Sequence, residues 1–147
     1  MEEVLVSGES LLSKLGINIG TKRIHMKTIT EADIVMFSSV SGDTNPLHLC
    51  EEYAKKTMFK GRIAHGILTL GLISAALAKF PGTIIYLSQN ARFTRPVRPG
   101  DSITAIAEVI EKNEEKGIVK LRTTCVNQNN ETVIEGEATI MVREPPE

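Results

Sequence analysis

Tryptophan is absent from this chain, and cysteine occurs only twice in 147 residues, at Cys50 and Cys125. Two thiols are too few for a disulfide framework and show no CxxC spacing for zinc, so both are expected to be free thiols used for packing. Charge of one sign is missing as well: 17 Lys and Arg against 18 Asp and Glu leave a formal net charge of -1. That balance excludes a general nucleic-acid binder, which needs a basic excess or a basic face. No apolar run is long enough for an ordinary membrane span, the longest being GILTLGLISAALA. The opening MEEVLVSGES carries acids where a signal peptide needs basic residues, so a cytoplasmic protein without membrane or nucleic-acid partners is expected. Internal repeats and low-complexity segments are lacking too.

What remains is an ordinary globular composition, 41% hydrophobic, with length for one domain over 1–147 and a single core. Residues 1–16 carry Leu5, Leu11, Leu12 and Leu15 interrupted by Gly8, which suggests a short helix or a loosely packed arm within an N-terminal stretch of 1–20. From Thr21 to Ile29, Ile24, Met26 and Thr28 alternate with Arg23, His25 and Lys27, the period of a half-buried strand with His25 facing solvent. TEAD then supplies a helix start, Thr30 capping and Asp33 complementing it, with Ala32, Val35, Met36 and Val40 at helical spacing. Gly42 ends that helix, and the pairing of Glu51 and Glu52 with Lys55 and Lys56 predicts a second short one.

Residues 66–80 are apolar nearly all round, which predicts a helix enclosed by other elements and stopped by Pro81 and Gly82. The period then changes: over 83–94, Ile85, Leu87, Ala91 and Phe93 alternate with Tyr86, Ser88, Asn90 and Arg92. After the turn-rich RPVRPGD, the segments 102–112, 118–127 and 131–143 read as three further strands broken at NEEKG and NQNN. One strand, a helical region and four strands predict an α+β domain with an antiparallel sheet packed on one apolar helix.

The chemistry concentrates in SGDTNPLH, which places Asp43, Asn45, Pro46 and His48 within six positions. Residues five apart in an α-helix diverge by roughly 140°, so Asp43 and His48 can share a site only if the stretch is not a simple helix. Gly42 permits a reversal and Pro46 pushes Asn45 toward extended dihedrals, so the loop can fold the acid back toward the imidazole. Such a pair suits acid/base work on a water near neutral pH. Spacing alone equally accommodates, and on balance favours, a structural loop: Asp43 capping a turn, Asn45 forming an Asx-turn and His48 lying on the surface.

The run FSSVSGDTNPLH, Phe37 to His48, with Ala54 six residues on, resembles the signature of MaoC-like, (R)-specific enoyl-CoA hydratases, without departure from it. The likeness extends to Ile63-Ala64-His65-Gly66 and to Phe93-TRPV-RPGD, and so spans about 21–143. It implies a hot-dog fold, an antiparallel sheet wrapped round a long central helix, assembled as a homodimer or as larger sets of dimers. It implies addition of water to a trans-2-enoyl-CoA to give the (R)-3-hydroxyacyl thioester, with Asp43 and His48 catalytic and no cofactor or metal.

A helix N-terminus offers unpaired N–H groups to developing negative charge, and the same resemblance associates Gly66 with thioester binding, so Gly66 is the expected oxyanion donor. Gly66 could instead only permit a tight approach to the helix, and His65 is expected to pack or orient. Gly71 inside the helix costs about 1 kcal/mol relative to alanine and suggests close packing. Among the basic residues Lys55, Lys56, Lys60, Arg62, Arg92, Arg95 and Arg98, only Arg92 and Arg95 adjoin the family-like segment, and with Asn45 they are the candidate substrate contacts; Asn45 also reads as a brace for the loop. A thioesterase is disfavoured, because 66–80 contains no Asp or Glu. A dehydratase acting on an acyl-carrier-protein thioester shares the dyad and stays open. A non-catalytic acyl-binding subunit would not need the dyad, and a metal site of Asp43, His48 and His65 matches no standard ligand spacing.

Overall fold

A computed structural model describes residues 9–147. The expectations resting on Leu5 and Gly8 lie outside those residues. The described elements begin with α1 (Leu11–Lys14), β1 (Lys22–Thr28), α2 (Glu31–Ser41), α3 (Pro46–Leu49) and α4 (Glu51–Ala54). They continue with α5 (Gly66–Leu77), β2 (Thr83–Phe93), β3 (Ser102–Asn113), β4 (Ile118–Val126) and β5 (Thr132–Arg143). The five strands form one antiparallel sheet in the order β1-β3-β4-β5-β2, which leaves β1 and β2 as its edges. Helix α5 packs against β1, β2, β3 and β4, the hot-dog arrangement.

Alternation makes this packing possible. Ile103, Ala105, Ala107 and Val109 of β3, and Val119 and Leu121 of β4, are fully or almost fully buried, while their neighbours face outward. The two alanines let the helix lie close to the sheet, and Leu72, Ile73, Ala76 and Leu77 supply its side of the core. At roughly 25 cal/mol per Å² of apolar surface removed from water, this continuous cluster is the main stabilising term. From residue 9 on, the N-terminal arm is packed, not loose: Leu12 and Ile17 are fully buried, and Leu11 and Leu15 cover the cluster.

Three side-chain placements depart from simple periodicity. On β1, Ile24 and Met26 point to solvent, and it is Arg23, His25 and Lys27 that are half-buried on the helix side. The two long basic chains cover apolar surface with their stems while their heads reach polar partners: Arg23 stacks on Phe80 and donates to the Lys79 carbonyl, and Lys27 pairs with Asp33 at 3.0 Å. His25 is therefore not solvent-facing. On α2 the buried stripe is Ile34 and Ser38, whereas Val35, Met36 and Val40 are exposed. On β2 the register slips between Tyr86 and Ser88, so Leu87 is the extra residue of a bulge. Ile84 and Ala91, not Ile85 and Leu87, then face the core.

The predicted caps hold. Thr30 Oγ1 accepts from the Asp33 N–H, and the Asp33 carboxylate accepts from the Thr30 N–H, a complete capping box. Gly42 closes α2 at φ 81°, a left-handed conformation that costs glycine little. Glu52 pairs with Lys55, but Glu51 turns instead to Arg62. Cys125 is buried, which pushes its thiol up to about 12, in keeping with a packing role. Cys50 is exposed and does not pack the core.

The α2 placement yields a stability test. Ile34→Ala is expected to cost about 2–4 kcal/mol by opening a cavity, whereas Val35→Ala stays within about 0.5 kcal/mol. Chemical denaturation of the two variants separates the buried stripe from the exposed one.

Candidate active site

The site forms where the N-terminus of α5 meets the loop that leaves α2. After the reversal at Gly42, Asp43 Oδ1 accepts from the Asn45 N–H at 3.2 Å, and Asn45 Oδ1 accepts from the Leu47 N–H at 3.0 Å. Two successive Asx-turns thus carry the chain into α3, with Asn45 as its N-cap and Pro46 at its first position. Asn45 stands at φ -51° and ψ 125°, the extended conformation that a following proline favours. Asn45 braces the loop, and its side-chain oxygen is spent on that task.

His48 is 7% exposed, so the surface alternative does not describe it. Its Nδ1 lies 2.8 Å from the Ile63 carbonyl, an acceptor only, so Nδ1 carries the proton and the neutral ring keeps a lone pair on Nε2. Asp43 is exposed. Asp43, His48 and His65 each bring a carboxylate oxygen or ring nitrogen within 4.8 Å of the others. The structure thus brings the acid and the imidazole together. The two rings, however, stack at 3.9 Å between centroids and 31° between planes. In-plane lone pairs on stacked rings run side by side, a poor geometry for converging on one metal ion.

His65, 2% exposed, is the N-cap of α5 but makes no capping hydrogen bond through its side chain. Its Nε2 lies 3.1 Å from the Asp43 carbonyl and 3.0 Å from Ser38 Oγ, while Nδ1 is buried without a partner. Burial pushes its pKa below the usual imidazole value, with His48 acting in the same sense against the opposing pull of the Asp43 carbonyl and carboxylate. Gly66 follows as the first residue of α5. Helix geometry leaves the N–H groups of this first turn without intrahelical acceptors. A Cβ at Gly66 would come within 2.6 Å of the Phe93 ring, so glycine is required for the close approach of that ring.

Beside this helix end opens an apolar cavity of about 460 Å³, walled by Ile63, Gly66, Ile67, Phe93, Val97 and Ile134 among others. Asp43 and His48 do not line it; Ile63, whose carbonyl holds His48, and Gly66, next to His65, connect the two regions. Arg95 stands on the cavity wall, paired with Glu131 at 3.3 Å. Arg92 does not: it borders a separate depression with Asn90, Glu135 and Gly136 on the other face of β2. Arg98 is taken up by the carbonyls of Phe59 and Gly61.

Sequence reasoning passes over Ser38 here and weighs Arg62 only as one of several basic residues. Ser38 lies one turn beyond the buried Ile34, and that spacing was the available signal. Arg62 forks onto both oxygens of Glu31, reaches Glu51 at 3.4 Å and the His48 carbonyl at 3.5 Å, contacts between distant positions that no local pattern encodes. Hydrogen bonding from Arg62 holds the Glu31 carboxyl below its ordinary range. A depressed folded-state value means stability that is complete above the unfolded carboxylate range and lost as pH falls through the folded value. Glu31→Gln should therefore cost about 0.5–1 kcal/mol at pH 7, the size of a solvent-screened pair. That difference should shrink in denaturation curves taken at progressively acid pH.

The MaoC like domain matches residues 16–131. An (R)-specific enoyl-CoA hydratase of Rhodospirillum rubrum is 51% identical over 118 residues, covering 79% of this chain and 81% of that protein. A mitochondrial 3-hydroxyacyl-[acyl-carrier-protein] dehydratase of Arabidopsis thaliana is 37% identical over 143 residues, covering 95% and 86%. Among solved structures, the R-hydratase PhaJ1 from Pseudomonas aeruginosa, unliganded, superposes with a TM-score of 0.80 at 47% identity, covering 86% of this chain and 83% of that one. Domain match, sequence identity and fold agree on one assignment: the chain belongs to the MaoC-like domain family.

Proposed function

We propose that this protein adds water to a trans-2-enoyl thioester of coenzyme A to give the (R)-3-hydroxyacyl thioester, in a cytoplasmic setting and without a cofactor. The observation that carries the proposal is the free Nε2 of His48, fixed by the bond from Nδ1 to Ile63, beside the Asp43 carboxylate and the start of α5. Hydration requires a water to lose a proton as its oxygen attacks the β-carbon, while the α-carbon gains one. Asp43 and His48 hold the water and carry out these two transfers between them, on one face of the double bond. The charge that develops on the thioester oxygen is met by the Gly66 N–H at the positive end of α5, a fixed donor that needs no reorganisation.

The apolar cavity supports this reading, because a growing hydrocarbon tail has a place beside the reacting carbons. Arg95 on its wall is the proposed contact for polar parts of the thioester, whereas Arg92 and Asn45, as placed, serve it less directly. The identity of the R. rubrum relative supports coenzyme A as carrier, and the plant relative's name supports the reverse reaction on a carrier protein. Competition between crotonyl-CoA and a crotonyl carrier protein decides between the two.

Assembly is part of the same proposal. Among the described residues strand β2 pairs only with β5 and so leaves one backbone edge open, with Ile85 and Leu87 exposed on that strand. The adjoining face of α5 exposes Ile67, Gly71, Ser74 and Ala78, so this helix is not enclosed on all sides within one chain. A Cβ at Gly71 would meet nothing within 4 Å among the described residues, which leaves the space beside that glycine open. A second copy pairing edge to edge would cover both features.

The purified protein should hydrate crotonyl-CoA with no added cofactor, followed as loss of enoyl-thioester absorbance, with (R) product by chiral analysis. Asp43→Asn and His48→Ala should each lower kcat/KM by roughly 10²–10⁴; an (S) product, or full activity in both variants, overturns the assignment. Sedimentation should find a dimer, and Gly71→Leu should shift it toward monomer. A monomeric wild-type protein at micromolar concentration would count against the edge pairing.

A further inference from the structure

The titratable ring that the proposed chemistry does not use is His65, and its surroundings are unusually specific. Its Nε2 faces the Asp43 carbonyl at 3.1 Å and Ser38 Oγ at 3.0 Å. A carbonyl only accepts, so Nε2 carries the hydrogen, and the neutral ring leaves Nδ1 bare. That Nδ1 is buried with no hydrogen-bond partner among the described residues, so a second proton there would be a buried charged donor with no acceptor in hydrogen-bond reach. On one side the ring packs against Phe37 at 4.8 Å between centroids, and on the other it stacks on His48 at 3.9 Å.

We propose that His65 is a positioning residue, an imidazole locked in its neutral Nε2–H form that pins the Asp43 backbone and reserves proton uptake in the stacked pair for His48. The inference rests on the reading of Asp43 and His48 as the reacting pair. Two imidazoles in contact do not both accept a proton without strong repulsion. Because the bare nitrogen of His65 has no acceptor, the ring that takes the charge is His48, whose Nε2 is free and whose Nδ1–H already leans on a carbonyl. The depressed basicity of His65 agrees with this division.

The titratable groups facing His65 are His48 from α3 and Asp43 from the loop; the ion cluster of Arg62, Glu31 and Glu51 acts at one remove, on the His48 carbonyl. The hydrogen bond to Asp43 has a second effect. It ties the α5 N-terminus, where Gly66 sits, to the loop carrying the acid, so the proposed oxyanion donor and the Asp43 carboxylate are held in one frame.

Imidazole ¹⁵N NMR on the free wild-type protein is the direct test. His65 should show the neutral Nε2–H tautomer and keep it down to the pH at which His48 has taken its proton, with His48 starting as the Nδ1–H tautomer. A His65 that is found as Nδ1–H, or that protonates before His48, overturns the proposal. In kinetics, His65→Phe keeps an aromatic face for His48 but removes the donor. It should lower kcat roughly tenfold or more with KM within about twofold, the pattern of a misplaced reacting group. It should also move the acid limb of the kcat/KM profile. A variant that loses thermal stability but keeps wild-type kcat and pH profile shows a purely structural ring and sinks the idea. If His65→Phe does not fold, the wild-type NMR titration decides alone. Inactivity of the wild-type protein toward enoyl thioesters marks failure of the functional proposal, whereas a titrating His65 in an active protein marks failure of this one.

Discussion

The seating of α5 in the curve of the sheet is the constraint on which the rest depends. Its buried face meets the alanines of β3, and this contact fixes where the helix begins. From that beginning follow the depth of His65, the direction of the first free N–H groups and the cavity beside Gly66. A helix that began a turn earlier or later would separate all three from the Asp43 loop. The stabilising burial and the chemistry therefore share one geometric origin, although the energy lies in the apolar contacts and the chemistry in the helix end.

Around that end the loop that carries the acid is held by local turns. Asp43 and Asn45 each accept from a backbone N–H two residues on, Gly42 supplies the left-handed step, and Pro46 starts α3. Such a loop is stiff without being buried, which suits a carboxylate that must keep contact with solvent. The imidazole is treated differently: His48 is enclosed and oriented through a carbonyl from another segment. An exposed carboxylate and an enclosed imidazole held through one ring nitrogen thus sit side by side in unlike surroundings.

The edges tell a second story. At β1, charged residues turn inward over the end of the helix and apolar Ile24 and Met26 turn outward, because long basic side chains can bury their stems and still reach carbonyls and Asp33. At β2, a bulge at Leu87 changes which residues face the core. A similar slip between Cys125 and Val126 leaves Val133 as an extra residue on β5, so Val133 and Ile134 both turn toward the cavity. Irregularity in the sheet thus shapes the wall of the site.

The sequence by itself determined the order of elements, the capping box at Thr30 and Asp33, the stop at Gly42, the apolar character of α5 and, through the FSSVSGDTNPLH run, the family. These are encoded locally, by residues within a few positions of one another, and local encoding is legible. Facing was legible only in part: Val35, Ile24 and Ile85 stand in apolar patterns, yet the neighbouring register turns inward. A period of two or of 3.6 names alternation without saying which side meets the core, and one bulge reverses it. Only the tertiary structure decided that His48 is buried and leans on Ile63, that His65 stacks on His48 and reaches the Asp43 carbonyl, and that Arg62 joins Glu31 to the loop. Those contacts bridge 15 to 31 positions, and no spacing rule reaches across a gap that folding alone closes.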